Sequence, residues 1–243
     1  MERKQVTIGS ILLGFMLLSS HLSAQELVFE ILPQAVKGKN HFGPNRKNFI
    51  HPVASVLFFI PGIRAGSLPL DQPFSGQINM GVRYKYKISK VFSIIPEFGF
   101  YRQSARISQN NGKSYPDSII HDSQTIRSGG LTSGLFVRIR MGQDGDYLGN
   151  FFDIGLSAQA ALVHNLVTRD IGPTSEFSTL MTERTTILVM NNHNHWNVNI
   201  TSRIGLDRFS LVASWRLTSI LRETDKTDLP SFQIGLEFAP IRY

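Results

Sequence analysis

Two imidazoles two residues apart, His193 and His195, share a face where the chain is extended, and such a face could bind a metal ion. No third ligand is identifiable in the sequence, and histidines beside a tryptophan, here Trp196, also serve simply as polar groups near a strand end. Gln143-Asp144-Gly145-Asp146 has the acids of a calcium loop but neither the spacing of an EF-hand nor its closing Glu, so it reads as a Gly/Asp turn. The largest chemical set is a scatter of charges: Arg83, Lys85, Glu97, Arg138, Arg140, Asp153, Arg203, Arg216 and Glu237. Gathered in one interior they could line a pore, supply a catalytic carboxylate, or pair with one another as a plug, because buried charges must be paired. Ser, His and Asp occur without a recognisable catalytic spacing. No catalytic, cofactor-binding or metal-ligating residue is therefore assigned.

The elements that must position these charges are set by alternation. Ile78, Met80, Val82, Tyr84, Tyr86 and Ile88 share one face, against Gln77, Asn79, Gly81, Arg83, Lys85 and Lys87. Phe92, Ile94, Pro96, Phe98 and Phe100 oppose Ser93, Glu97, Gly99 and Gln103, with Ile95 and Tyr101 as exceptions on the polar face. Leu131, Leu135, Val137, Ile139 and Met141 oppose Thr132, Gly134, Arg138 and Arg140. Phe152, Ile154, Leu156, Ala158, Ala160 and Leu162 oppose Asp153, Gly155, Ser157 and Gln159. The same pattern runs through Trp196, Val198, Ile200, Ile204 and Leu206, through Phe209, Leu211, Ala213, Trp215 and Leu217, and through Phe232, Ile234, Leu236 and Phe238.

Those are seven strands, and an even count needs an eighth. Val53–Ile63 is the better candidate and Glu26–Leu32 its rival, with the rest of 25–50 reading as an irregular polar lead-in. Connections alternate in length. Ser89-Lys90, Gly142–Gly149 and Asp207-Arg208 are short or turn-rich, whereas Ser108–Asp122, Asp170–Val189 and Arg222–Pro230 are longer and polar. No solenoid repeat or linker divides the chain, so 51–243 reads as one all-β domain.

Composition narrows the class. Arg3 and Lys4, the apolar run Ile8–Leu18 and the small residue Ala24 have the layout of a cleaved signal peptide over 1–24; a spanning helix needs roughly 20 apolar residues, and this run is much shorter. Removing that segment takes one net positive charge from +7, leaving a basic mature chain. No dense Lys/Arg run accompanies the charge, which argues against nucleic acid as a partner. With no cysteine there is no disulfide framework, thiolate site or lipid-bearing residue. No apolar stretch after residue 25 is long enough for a helical span, so any membrane crossing is by strands.

A soluble barrel turned inside out would alternate in the same way. Three features favour the membrane: strand lengths that cross a bilayer when tilted, glycines on the polar face where a narrow interior needs small residues, and aromatics near segment ends. Those aromatics are Tyr84, Tyr86, Phe98, Phe100, Phe152, Trp196, Phe209 and Phe238. The lipid-facing set is then Ile78, Met80, Val82, Leu135, Val137, Ile154, Leu156, Val198, Leu211, Ile234 and Leu236. On these architectural features the chain resembles the broad family of small bacterial outer-membrane β-barrel, or porin-like, proteins. The resemblance implies a single antiparallel up-and-down transmembrane barrel of about eight strands in a Gram-negative outer membrane. It implies as partners the membrane lipids, lipopolysaccharide, the barrel assembly machinery and an envelope protein. Pro240 and the parity of Tyr243 depart from the family's usual last strand. A non-enzymatic structural or binding barrel is the expected function, with a narrow anion-favouring channel as alternative and a lipid-modifying enzyme as a more distant one.

Overall fold

The computed structural model describes residues 43–44, 46–62, 68–71, 75–110, 113, 115–116, 119–141, 148–173, 181–189, 193–221 and 228–241. The signal-peptide segment, the rival strand Glu26–Leu32 and the Gln143–Asp146 turn lie outside these residues. All described residues belong to one compact unit, Asn40–Tyr243.

The strands are β1 (Asn48–Ile60), β2 (Gly76–Lys87), β3 (Phe92–Ile107), β4 (Ser123–Arg140), β5 (Asn150–Pro173), β6 (Met181–Val189), β7 (Trp196–Leu206), β8 (Phe209–Arg216) and β9 (Phe232–Phe238). Every pairing is antiparallel, and β9 closes on β1. Eight strands make the closed up-and-down barrel. β6 and β7 are successive pieces of one descending path: β7 pairs with the first part of β5, and β6 with its last part, Asn165–Pro173.

Closure has a definite stagger. Starting at Phe92 on β3, strictly paired neighbours run Ile139, Phe152, Ile204, Leu211, Leu236, Val56 and Ile78, and return to β3 at Arg102. One circuit thus shifts the register by ten residues, from 92 to 102. That shift tilts strands by roughly 35–45°. Because the shift is even, side chains of one parity in each regularly paired stretch face outside and those of the other face inside.

The outside is apolar: Val82, Leu135, Leu156, Ile204 and Leu236 are all exposed on the outer face. The inside is layered. At the end with short connections, Phe49, Val53, Leu148, Phe151, Ala239 and Ile241 form one apolar cluster. At the end with long connections, Phe59, Leu68, Ile107, Ile126, Leu166, Ile220 and Leu229 belong to another. The charged and polar residues lie between these two stoppers.

Several expectations need correction. β1 begins at Asn48, so the last residues of the presumed lead-in are strand, and its register against β2 and β9 makes it the eighth stave. Asp170–Val189 is not one loop, because its two ends pair as the β5–β6 hairpin. A β-bulge caused the misreading: the register slips between Gly129 and Gly130, leaving Leu162 as an extra residue in β5. A single extra residue flips every later side chain to the other face. Leu162 and Val163 are consequently both exposed, while His164 and Leu166 turn inward. Strands also vary more than the sequence suggested, from 7 residues in β9 to 24 in β5. Phe98 and Phe100 stand midway along β3, and Phe100 is the last apolar outward residue of that strand before Arg102.

Candidate functional site

Register brings the interior charges together. Arg83 lies opposite Glu97, and Arg138, Asp153 and Arg203 are consecutive partners across β4, β5 and β7. Arg83 is only 1% exposed, and a guanidinium in that position must be fully engaged. Its Nη1 and Nη2 donate to the two carboxylate oxygens of Glu237 at 2.9 and 2.7 Å. Its Nε and Nη2 donate to Glu97 Oε2 at 3.1 and 2.8 Å. From the far wall, Arg203 places Nη2 2.8 Å from the same Glu97 oxygen and Nε 3.3 Å from Glu237 Oε2.

Arg138 forms a second, two-pronged pair with Asp153, at 2.7 and 2.8 Å. Aromatic rings supply the remaining contacts. The Arg138 guanidinium carbon lies 3.5 Å from the centre of the Phe151 ring, and that of Arg203 lies 4.0 Å from the centre of Phe136. Planar guanidinium stacks well on aromatic faces, which lysine would not reproduce. Glycine makes room for these rings: a Cβ on Gly205 would sit 2.1 Å from Phe151, and one on Gly134 2.6 Å from Phe136.

The nine charges singled out in the sequence therefore separate into three places. Arg83, Glu97, Arg138, Asp153, Arg203 and Glu237 make the central layer. Lys85 and Arg140 lie toward the short-connection end, where the Lys85 ammonium donates to the Pro44 carbonyl. Arg216 sits near the other end, bonded to the Thr218 and Leu229 carbonyls and to Asp228 at 3.0 Å. Asp228 was missed because it falls in a connection whose parity carries no signal. It also accepts backbone N–H groups from Ile220, Leu221 and Leu229 and so organises that connection.

Toward the long-connection end the central layer gives way to amides and hydroxyls. Gln77 donates to Asn79 and Asn79 to Ser55, while Thr201 and Ser214 hydroxyls lie 3.1 Å apart. The cavity against this layer, bordered by Ser55, Asn79, Glu97, Thr201, Arg203 and Glu237, has about 30 Å³. That is room for a water or two, not for a passing solute.

Of the outward set, Ile78, Met80, Val82, Leu135, Val137, Ile154, Leu156, Leu211 and Leu236 are exposed, and Val198 and Ile234 are half-buried. Tyr84, Tyr86, Phe152, Phe209 and Phe238 gather near the short-connection end, and Trp196 stands on the opposite side of the belt. His193 and His195 do acquire a third imidazole, His164, which sequence spacing could not have revealed because the β5 bulge turns it inward. The His164 and His193 rings pack at 4.2 Å between centres, and His195 lies 5.8 Å from His164. Among the described residues no three His, Cys, Asp or Glu side chains are grouped as a metal shell requires.

Fold and interior together define a class: a closed, eight-stranded, antiparallel up-and-down barrel with a filled, ion-paired interior. No protein-family model matches the chain, and no curated protein matches it in sequence.

Proposed function

We propose that this chain is an exported, integral outer-membrane barrel of a Gram-negative cell, non-enzymatic, whose rigid wall presents its long-connection end for binding or for an envelope assembly. The observation that carries the reading is the outward path of Phe92, Ile139, Phe152, Ile204, Leu211, Leu236, Val56 and Ile78, one apolar residue from each of the eight staves before the register returns to β3 at Arg102. Water-soluble monomers rarely expose contiguous apolar patches above a few hundred Å², whereas a bilayer requires such a belt. The closed edge supports the same reading, because lipid tolerates no unpaired strand. The stoppered, ion-paired interior favours a structural or binding role over a conducting one.

Cell fractionation tests the proposal. The mature protein is expected in the outer membrane after carbonate washing, and in detergent it should migrate faster before boiling than after. Recovery from the soluble periplasm would overturn the assignment.

A further inference from the structure

The outer face of β3, β4 and β5 changes character beyond the apolar belt. On β3, Arg102 and Arg106 follow Phe100 on the same face; on β4, Arg127 precedes Leu131; on β5, Arg169 follows the bulge. Pairing sets Ser104 against Arg127, Arg106 against Thr125, and Ser123 against Arg169. Neighbouring strands lie about 4.8 Å apart, so guanidinium groups from three strands meet over one stretch of wall. Between them is a groove of about 270 Å³, bordered by Ser104, Arg106, Thr125, Arg127, Val167 and Arg169. Among the described residues, the Asp71 carboxylate lies 3.2 Å from Arg106.

We infer that this groove binds the phosphorylated headgroup of a membrane glycolipid of the lipopolysaccharide type, an assignment that rests on the outer-membrane reading above. Three features of the site select that occupant. Arginine forks match phosphate geometry, and the serine and threonine hydroxyls add neutral donors. A groove of this size lies just below the range of roughly 300–1,000 Å³ typical of small-ligand sites, which suits a headgroup and excludes a set of acyl chains. Position decides between a lipid and a free anion. The groove faces outward, and two outward residues along the wall from Ser104, Arg127 and Val167 stand Phe100, Leu131 and the exposed Val163, so acyl chains on that apolar margin would bring their own headgroup to the arginines. The Asp71 carboxylate competes for Arg106 and holds that side chain at the rim.

The test uses the full mature protein folded in detergent, with native mass spectrometry reading bound lipid. Bisphosphorylated lipid A should remain bound, and the same glycolipid stripped of phosphate should not. In Arg127→Gln/Arg169→Gln, binding should weaken at least about tenfold, and Asp71→Asn should leave it equal or tighter. Arg208→Gln, at the opposite end, serves as the charge control and should bind like wild type. Inorganic phosphate should not displace the lipid. Equal binding by the double variant, or equal binding of the dephosphorylated lipid, overturns the inference. Displacement by inorganic phosphate would make the groove a free-anion site and overturn the lipid assignment. Heat-modifiable migration of the same samples keeps the two readings apart: a variant that folds and inserts yet retains its lipid sinks only the headgroup site, whereas failure of wild type to insert sinks the barrel reading itself.

Discussion

Arg83 on β2 and Arg203 on β7 stand four staves apart in an eight-stave ring, on opposite walls, and both contact Glu97 and Glu237. The arrangement is a brace across the lumen. Each carboxylate answers two guanidiniums, and Asp153 answers Arg138, so the apparent excess of interior arginines over acids is smaller than the sequence suggested. Arg216 leaves the count altogether by pairing with Asp228.

Glu237→Gln should therefore be costly. Removing one member of a buried ion pair typically costs about 3–5 kcal/mol because the partner stays buried. Urea unfolding of the refolded barrel, followed by loss of heat-modifiable migration, measures it, and Glu97→Gln should behave similarly. Wild-type stability in both variants would mean that the brace is not a stabilising element.

Conductance across lipid bilayers should stay at background for wild type, because apolar clusters stop both ends of the interior. The double variant Glu97→Gln/Glu237→Gln should raise anion leakage, since it leaves Arg83 and Arg203 without their acids. Robust steady conductance by the unmodified protein would contradict a filled interior.

Face selection is tested by charge and by labelling. Leu135→Arg, on an outward position 59% exposed, should cost roughly 2–4 kcal/mol if that position faces the bilayer midplane. Thr132→Arg, on the inner parity, should be milder unless overpacking intervenes. Cysteines placed at 82 and 135 should react with a bilayer-confined probe, and those at 79 and 132 should not; the opposite pattern would turn the barrel inside out.

His193 lies between β6 and β7 with neither ring nitrogen hydrogen-bonded, and burial, with His164 and His195 alongside, holds its imidazole down to about 4. The folded state thus resists a proton that the unfolded chain accepts near 6.5. Stability from this residue is complete above about pH 6.5 and falls as the pH drops toward 4. His193→Phe should flatten that acid limb in a pH series of unfolding midpoints; an unchanged slope would show that the imidazole does not report its burial.

Alternation made most of the wall legible, because inward and outward residues follow parity wherever pairing is regular. Legibility ended at Leu162, where one unpaired residue reversed the pattern and disguised the end of β5, from Asp170, and all of β6 as loop. Phe136, Phe151, Ile95 and Tyr101 also ran against the pattern. Two of them are the rings on which Arg203 and Arg138 lie, so apparent exceptions to polarity belong to the charge layer itself. Which charges met which could not be read from sequence, since Arg83 and Glu237 are 154 residues apart.

That last contact spans the join where the chain's first and last staves meet. β9 is the shortest strand, and its register with β1 extends over only seven pairs, Ala54↔Phe238 to Ile60↔Phe232. Glu237 projects from β9 past β1 and is held by Arg83 on β2, so the ion pair works as a latch over a seam. A barrel that closes where its first and last staves meet thereby gains a fastening that sets only when the final stave is home.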